Sequence, residues 1–107
     1  MKAQYIKIDD EGKYYYSDKK MTLFHREDGP ACEYISGTKA WYLNGDCHRQ
    51  DGPAIEYTNG TKGWYFYNKN VTQAEHTLLT THITINGKEF TLAELKALIE
   101  SAEGKPL

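Results

Sequence analysis

The chain has 107 residues, 39% of them hydrophobic, and 13 Lys+Arg against 15 Asp+Glu give a formal charge of −2. That length predicts one compact domain burying roughly two-thirds of its unfolded surface. The charge excludes a strongly basic nucleic-acid binder as the default, and no apolar run nears the ~18 residues of a membrane span.

The opening segment, Met1 to Gly12, has no apolar stretch of the secretory kind. With two cysteines in the whole chain, the expectation is a cytoplasmic protein with free thiols. Nine Tyr and two Trp against three Phe show a chain built from amphipathic aromatics.

Strands are predicted at 3–8 and 13–17, with Asp9-Asp10-Glu11 and Asp18 as turn acids. A repeat then opens at His25 and recurs at His48, a period of 23 residues. Over 20 aligned positions 13 are identical, where chance gives about one or two. A degenerate copy precedes them, Lys7 to Lys13 followed by Tyr14-Tyr15-Tyr16, and a worn half-copy follows Tyr67. Copies therefore fall near 3–24, 25–47 and 48–70.

Each unit reads as a β-hairpin, with strands at 31–35 and 38–43, then 54–58 and 61–67. Asn59-Gly60 carries the sequence signal of a two-residue hairpin turn, and Ser36-Gly37 takes the turn before it. Asn44-Gly45 and Asp51-Gly52-Pro53 punctuate the connection between hairpins. Residues 68–79 show no clear period and read as a linker.

The tail changes style. Thr81 to Ile85, Asn86-Gly87 and Lys88 to Phe90 predict a small hairpin. Thr91 with Glu94 is a capping box for one helix. Its stripe of Leu92, Leu95, Leu98, Ile99 and Ala102 is expected to pack on the sheet, and Gly104 and Pro106 to stop it. The fold class predicted is mainly β: an antiparallel meander of repeated β-hairpins with a C-terminal hairpin and one short helix. Its organisation is 1–79 for the repeats and 80–107 for a hairpin-helix cap, forming one domain.

The segment Ala40-Trp-Tyr42-Leu-Asn44-Gly45-Asp-Cys-His48 resembles the MORN repeat, and the period of 23 fits that family. Gly63 and Tyr65 carry the Gly-x-aromatic element in the next copy, where Tyr67-Asn68 replaces Asn-Gly. The standard repeat continues His-Gly-x-Gly. This chain instead has His-Arg-x-Asp-Gly-Pro-Ala, similar to a variant in small bacterial and phage proteins. The resemblance covers about residues 5–67. It implies a β-hairpin ladder used for binding, linked in that family to membranes, partner proteins and self-association.

The repeated polar set is His25, Arg26, Asp28, Gly29 and Pro30, then His48, Arg49, Asp51, Gly52 and Pro53. Catalysis rarely needs two copies of one residue, so a turn role is expected. Asp hydrogen-bonds its own turn, and Arg bridges to it or to Glu33 and Glu56. Cys32, Cys47, His25 and His48 lack metal-ligand spacing. Cys32 occupies the slot of Ile55, and Cys47 that of Phe24 or Val71, as small apolar groups. The expectation is no catalytic residue, no metal and no cofactor.

Side chains alternate along strands, so one member of each pair Trp41/Tyr42 and Trp64/Tyr65 is expected in the core and the other exposed. With Arg26 and Arg49 at its edge, this strip is the expected contact surface for a protein partner. The phage-like resemblance suggests a host protein, for instance a defence enzyme. The alternatives are a lipid or nucleic-acid phosphate held by Arg26, Arg49, Lys39 and Lys62, and a homo-dimer.

Overall fold

The computed structural model describes residues 4–103, with side chains described as far as Glu100. The chain is mainly β and divides between Val71 and Thr72 into two compact units.

The first unit opens with β1 (Tyr5–Asp9) and β2 (Gly12–Tyr16). Asp9 closes their turn by accepting the N–H groups of Glu11 and Gly12 at 2.9 and 3.1 Å. The first repeat supplies β3 (Cys32–Tyr34), β4 (Lys39–Ala40), β5 (Tyr42–Leu43) and β6 (Asp46–Cys47). The second supplies β7 (Ile55–Glu56), β8 (Lys62–Gly63), β9 (Tyr65–Phe66) and β10 (Lys69–Asn70). A six-stranded antiparallel sheet runs β1-β2-β3-β4-β7-β8, beside the separate pairs β5-β6 and β9-β10.

The strands expected at 38–43 and 61–67 are thus each broken in two. Trp41 sits at the first break because its two backbone groups serve different partners. Its N–H reaches Ala54 O at 2.7 Å, while its carbonyl takes the N–H of His48 at 3.1 Å. Tyr15 holds the same place in the first hairpin, bonding Ala31 O and receiving the N–H of His25. The step from Tyr15 to Trp41 is 26 residues rather than 23, so the first copy carries a longer loop.

Turn roles also differ from expectation. Asn59-Gly60 lies in a three-residue loop, with Tyr57 N–H on Thr61 O, Gly60 N–H on Tyr57 O, and only Gly60 at positive φ. That is a type I turn closed by a G1 bulge. Asn44-Gly45, expected as punctuation, is the two-residue turn joining β5 to β6, with φ of 47° and 88°. Tyr67-Asn68 repeats it between β9 and β10 at 44° and 71°. Successive turns stack through Gly45 N–H on Phe24 O and Asn68 N–H on Cys47 O, both 2.8 Å.

One sheet face forms the core. Tyr14, Tyr16, Cys32 and Ala40 are buried there, with Tyr5, Phe24, Tyr42 and Ile55 against them. Phe24 anchors the cluster, its ring centroid 5.1 Å from Tyr16 and 5.3 Å from Tyr42. The cysteine slots need one revision. In the observed pairing Cys47 matches Phe24 and Asn70, not Val71; Val71 takes the place of His48, its N–H bonding Trp64 O.

The opposite face is a charged ladder. Lys13, Glu33, Lys39, Glu56 and Lys62 stand side by side across five strands, alternating in sign. Opposite charges directly across strands favour this register.

The second unit begins where a linker was expected. The stretch 68–79 instead carries β10 and helix α1 (Gln73–Thr80), so the described residues hold two helices where one was expected. Thr72 caps α1 in a reciprocal capping box with Glu75. The hairpin β11 (His82–Ile85) and β12 (Lys88–Thr91) turns at Asn86-Gly87 as expected. Helix α2 (Leu92–Glu103) starts on the Thr91–Glu94 box, both bonds being present at 2.9 and 3.0 Å. Within this unit α2 packs on α1 and β12, leaving Leu98 and Ile99 exposed. The side chain of Ala102 and the stop at Gly104 and Pro106 lie outside the described residues.

Among the described residues no helix is long and apolar enough to cross a membrane.

Candidate functional site

The two His-Arg-x-Asp-Gly-Pro loops have the same internal geometry. His25 and His48 are buried. His25 Nδ1 accepts the N–H of Asn44 at 2.9 Å, and His48 Nδ1 accepts that of Tyr67 at 3.1 Å. Each histidine therefore holds the turn of its own repeat, 19 residues on. An accepting Nδ1 places the imidazole proton on Nε2.

Arg26 donates from Nε to Asp28 at 2.9 Å, and from an Nη to Pro30 O and Glu33, both at 3.2 Å. Arg49 does the same with Asp51 at 3.0 Å, Pro53 O at 3.2 Å and Glu56 at 3.0 Å. The guanidinium lies close over each glycine: a Cβ on Gly29 or Gly52 would stand 3.0 Å from the guanidinium carbon, so a larger residue would have to displace the arginine slightly. Each guanidinium also covers a ring, Arg26 over Tyr15 at 4.1 Å and Arg49 over Trp41 at 3.9 Å. Asp28 and Asp51 thus serve their arginines, and each arginine bridges both of its expected acids rather than one of them.

Between the two loops lies an open groove of about 680 Å³. Arg26 to Gly29 form one wall and His48 to Asp51 the other, with Trp41, Leu43 and Tyr67 between them. Tyr67 is 54% exposed, and its ring stacks on His48 with centroids 3.8 Å apart and planes 11° off parallel.

Of the expected strip, the groove gathers Arg26, Arg49 and Trp41. Tyr42, Trp64 and Tyr65 are not on its surface. The expected split into one buried and one exposed member fails, since Trp41, Tyr42, Trp64 and Tyr65 are all half-buried. Trp41 and Tyr42 do point apart, Tyr42 into the core and Trp41 under Arg49. Arginine stacking covers the face that alternation alone leaves open.

Sequence reasoning missed Glu27, Leu43, Gln50 and Tyr67 as groove residues. The signal for Tyr67 was its position where the earlier copy has Asn44.

The thiols lie apart from the groove lining. Cys32 and Cys47 are free and buried. Burial raises Cys32 from 9.0 to about 11, against a smaller opposing hydrogen bond with Tyr34. Burial likewise raises Cys47 to about 11. Among the described residues no group of three or more His, Cys, Asp or Glu is placed to hold a metal ion.

No family model, curated protein or solved structure matches the chain.

Proposed function

We propose that this chain is a non-catalytic protein-binding module of the MORN-like kind its repeats resemble. The groove between the repeated loops is the contact site. The observation that carries this reading is the set of Trp41, Leu43 and exposed Tyr67 lining one groove with the two repeated loops. Aromatic and apolar anchors framed by polar residues are the composition of a protein contact. The loops' histidines, arginines and aspartates support the non-catalytic part, because each makes the same structural bonds in both copies.

A phosphate ligand has less support. Arg26 and Arg49 each already face two carboxylates, and Lys39 and Lys62 alternate with Glu33 and Glu56 on the ladder. The resemblance to phage proteins makes a host protein the first partner to try.

The test places a photoreactive side chain at Leu43 in the groove and, as control, at Ile8, which is 73% exposed on β1. The expected result is a protein adduct from Leu43 alone, suppressed by unlabelled chain. Lipid or nucleic acid recovered at Leu43 with no protein adduct overturns the reading.

A further inference from the structure

Charge arithmetic in the groove narrows the partner. Each arginine carries one positive charge and bridges two carboxylates, Asp28 with Glu33 and Asp51 with Glu56. Glu33 and Glu56 lie off the groove lining and stand opposite lysines on the ladder, so the charged side chains of the lining are Arg26 and Arg49 against Glu27, Asp28 and Asp51, an excess of one carboxylate. The Glu27 carboxylate lies 3.7 Å from the His25 ring. The acids nearest solvent are the ones facing outward: the Asp28, Asp51 and Glu27 side chains are 86%, 84% and 70% exposed.

The spacing is set by the repeat. Each copy adds two strands to the large sheet, so equivalent loop residues stand about 10 Å apart, twice the inter-strand distance. In a polyproline-II segment, with three residues per turn, residues i and i+3 lie on the same side about 9 Å apart. Long cationic side chains carry apolar stems that fit over Leu43 and Tyr67 while their heads reach water-exposed acids.

Resting on the protein-binding reading above, we infer that the groove takes a basic segment of its partner in the polyproline-II conformation. Two Lys or Arg side chains, three residues apart, sit against Asp28 and Asp51.

The probes are two acetylated hexapeptides of one composition, Gly-Arg-Gly-Gly-Arg-Gly and Gly-Gly-Arg-Arg-Gly-Gly. A Glu version of the first and inositol hexakisphosphate serve as anionic counterparts. Binding is read from amide shifts of the ¹⁵N-labelled chain. The spaced peptide is expected to bind at least ~5-fold tighter than the adjacent one and to shift Asp28, Leu43 and Asp51, with affinity falling as salt is added. D28N and D51N keep an oxygen for the arginine Nε while removing the charge, and each is expected to weaken the spaced peptide at least ~5-fold. The E27Q variant, outside the arginine bridges, gives the same direction should either aspartate variant lose its native spectrum.

Equal affinity for the two peptides, no binding by either, or groove shifts with the anionic probes overturns the inference. If the Leu43 protein adduct forms and the spaced peptide does not compete with it, the basic segment is wrong and protein binding stands. If no protein adduct forms at Leu43, both readings fall.

Discussion

His48 and Tyr67 hold each other twice: the imidazole Nδ1 takes the Tyr67 N–H at 3.1 Å, and the two rings stack 3.8 Å apart. Tyr67 has a φ of 44°, the left-handed region where a bulky side chain is an outlier. The preceding copy fills this position with Asn44, which tolerates that conformation. The second copy thus accepts backbone strain and sets a tyrosine ring at the groove. Strain of this kind clusters at binding sites, where surrounding bonds over-determine it.

Removing the acceptor tests the histidine role. In His25→Phe the ring stays but Asn44 N–H loses its partner. The expected loss is about 1–2 kcal/mol, the usual consequence of orphaning a part-buried donor. His48→Phe leaves a ring to stack on Tyr67 and loses the same bond. Urea midpoints equal to the parent's for both variants would show that the histidines do not hold the turns.

Arg49→Lys tests the fork. The guanidinium reaches Asp51, Pro53 O and Glu56 and covers Trp41 at once. An ammonium is a point charge and cannot reproduce that planar geometry. The expected cost is about 1–2 kcal/mol, accompanied by a change in tryptophan fluorescence as Trp41 is uncovered. Parent-like stability and emission would show that charge alone suffices.

Much of the fold was legible because repetition and turn chemistry speak locally. The hairpins, the Asn86-Gly87 turn and the Thr91–Glu94 box all follow from residues near in sequence. What was lost depended on distant bonds. Nothing local says that Asn44 N–H is taken by His25 while Asn59 sits in a bulged loop, so Asn44-Gly45 is the tight two-residue turn and Asn59-Gly60 closes its hairpin through a longer loop. Helix α1 was missed because its polar sequence gives little apolar period, although Thr72 and Glu75 form the same box that was recognised at Thr91. Trp41 and the two arginines were read as site residues. Their neighbour Tyr67 was not, since it reaches the groove through a strained turn that only the histidine stack explains.

The thiols should be inert in the folded chain. Both are held protonated to about 11 by burial, so iodoacetamide at pH 8 is expected to label them at least ~100-fold more slowly than in denaturant. The same shift has a stability consequence. Unfolded thiols ionise at lower pH than folded ones, so their contribution to stability is intact below the ordinary 9.0 and is lost as pH rises toward about 11. Cys32→Val, which matches the slot of Ile55, should cost under about 2 kcal/mol and remove part of that alkaline slope. Rapid labelling of folded protein would contradict the burial of both groups.

Two glycines separate conformational from steric necessity. Gly60 has a φ of 89°, and a methyl group there would meet open space, with nothing within 4 Å. Gly60→Ala, and likewise Gly60→Val, should therefore be destabilising through backbone conformation alone, by about 1 kcal/mol for Ala. Gly12 is the opposite case. A Cβ there would lie 2.4 Å from Glu33 O and 3.0 Å from Tyr34 Cα, both backbone atoms of β3. No side chain can swing away, so Gly12→Ala must push β2 from β3 at the Gly12–Tyr34 pair. Its cost should sit at or above the upper end of the ~1–3 kcal/mol seen for overpacking. Thermal unfolding of the two alanine variants checks the order. If Gly60→Ala proves the more damaging, either the bulged loop at Thr58–Gly60 or the close approach of β2 to β3 is wrongly placed.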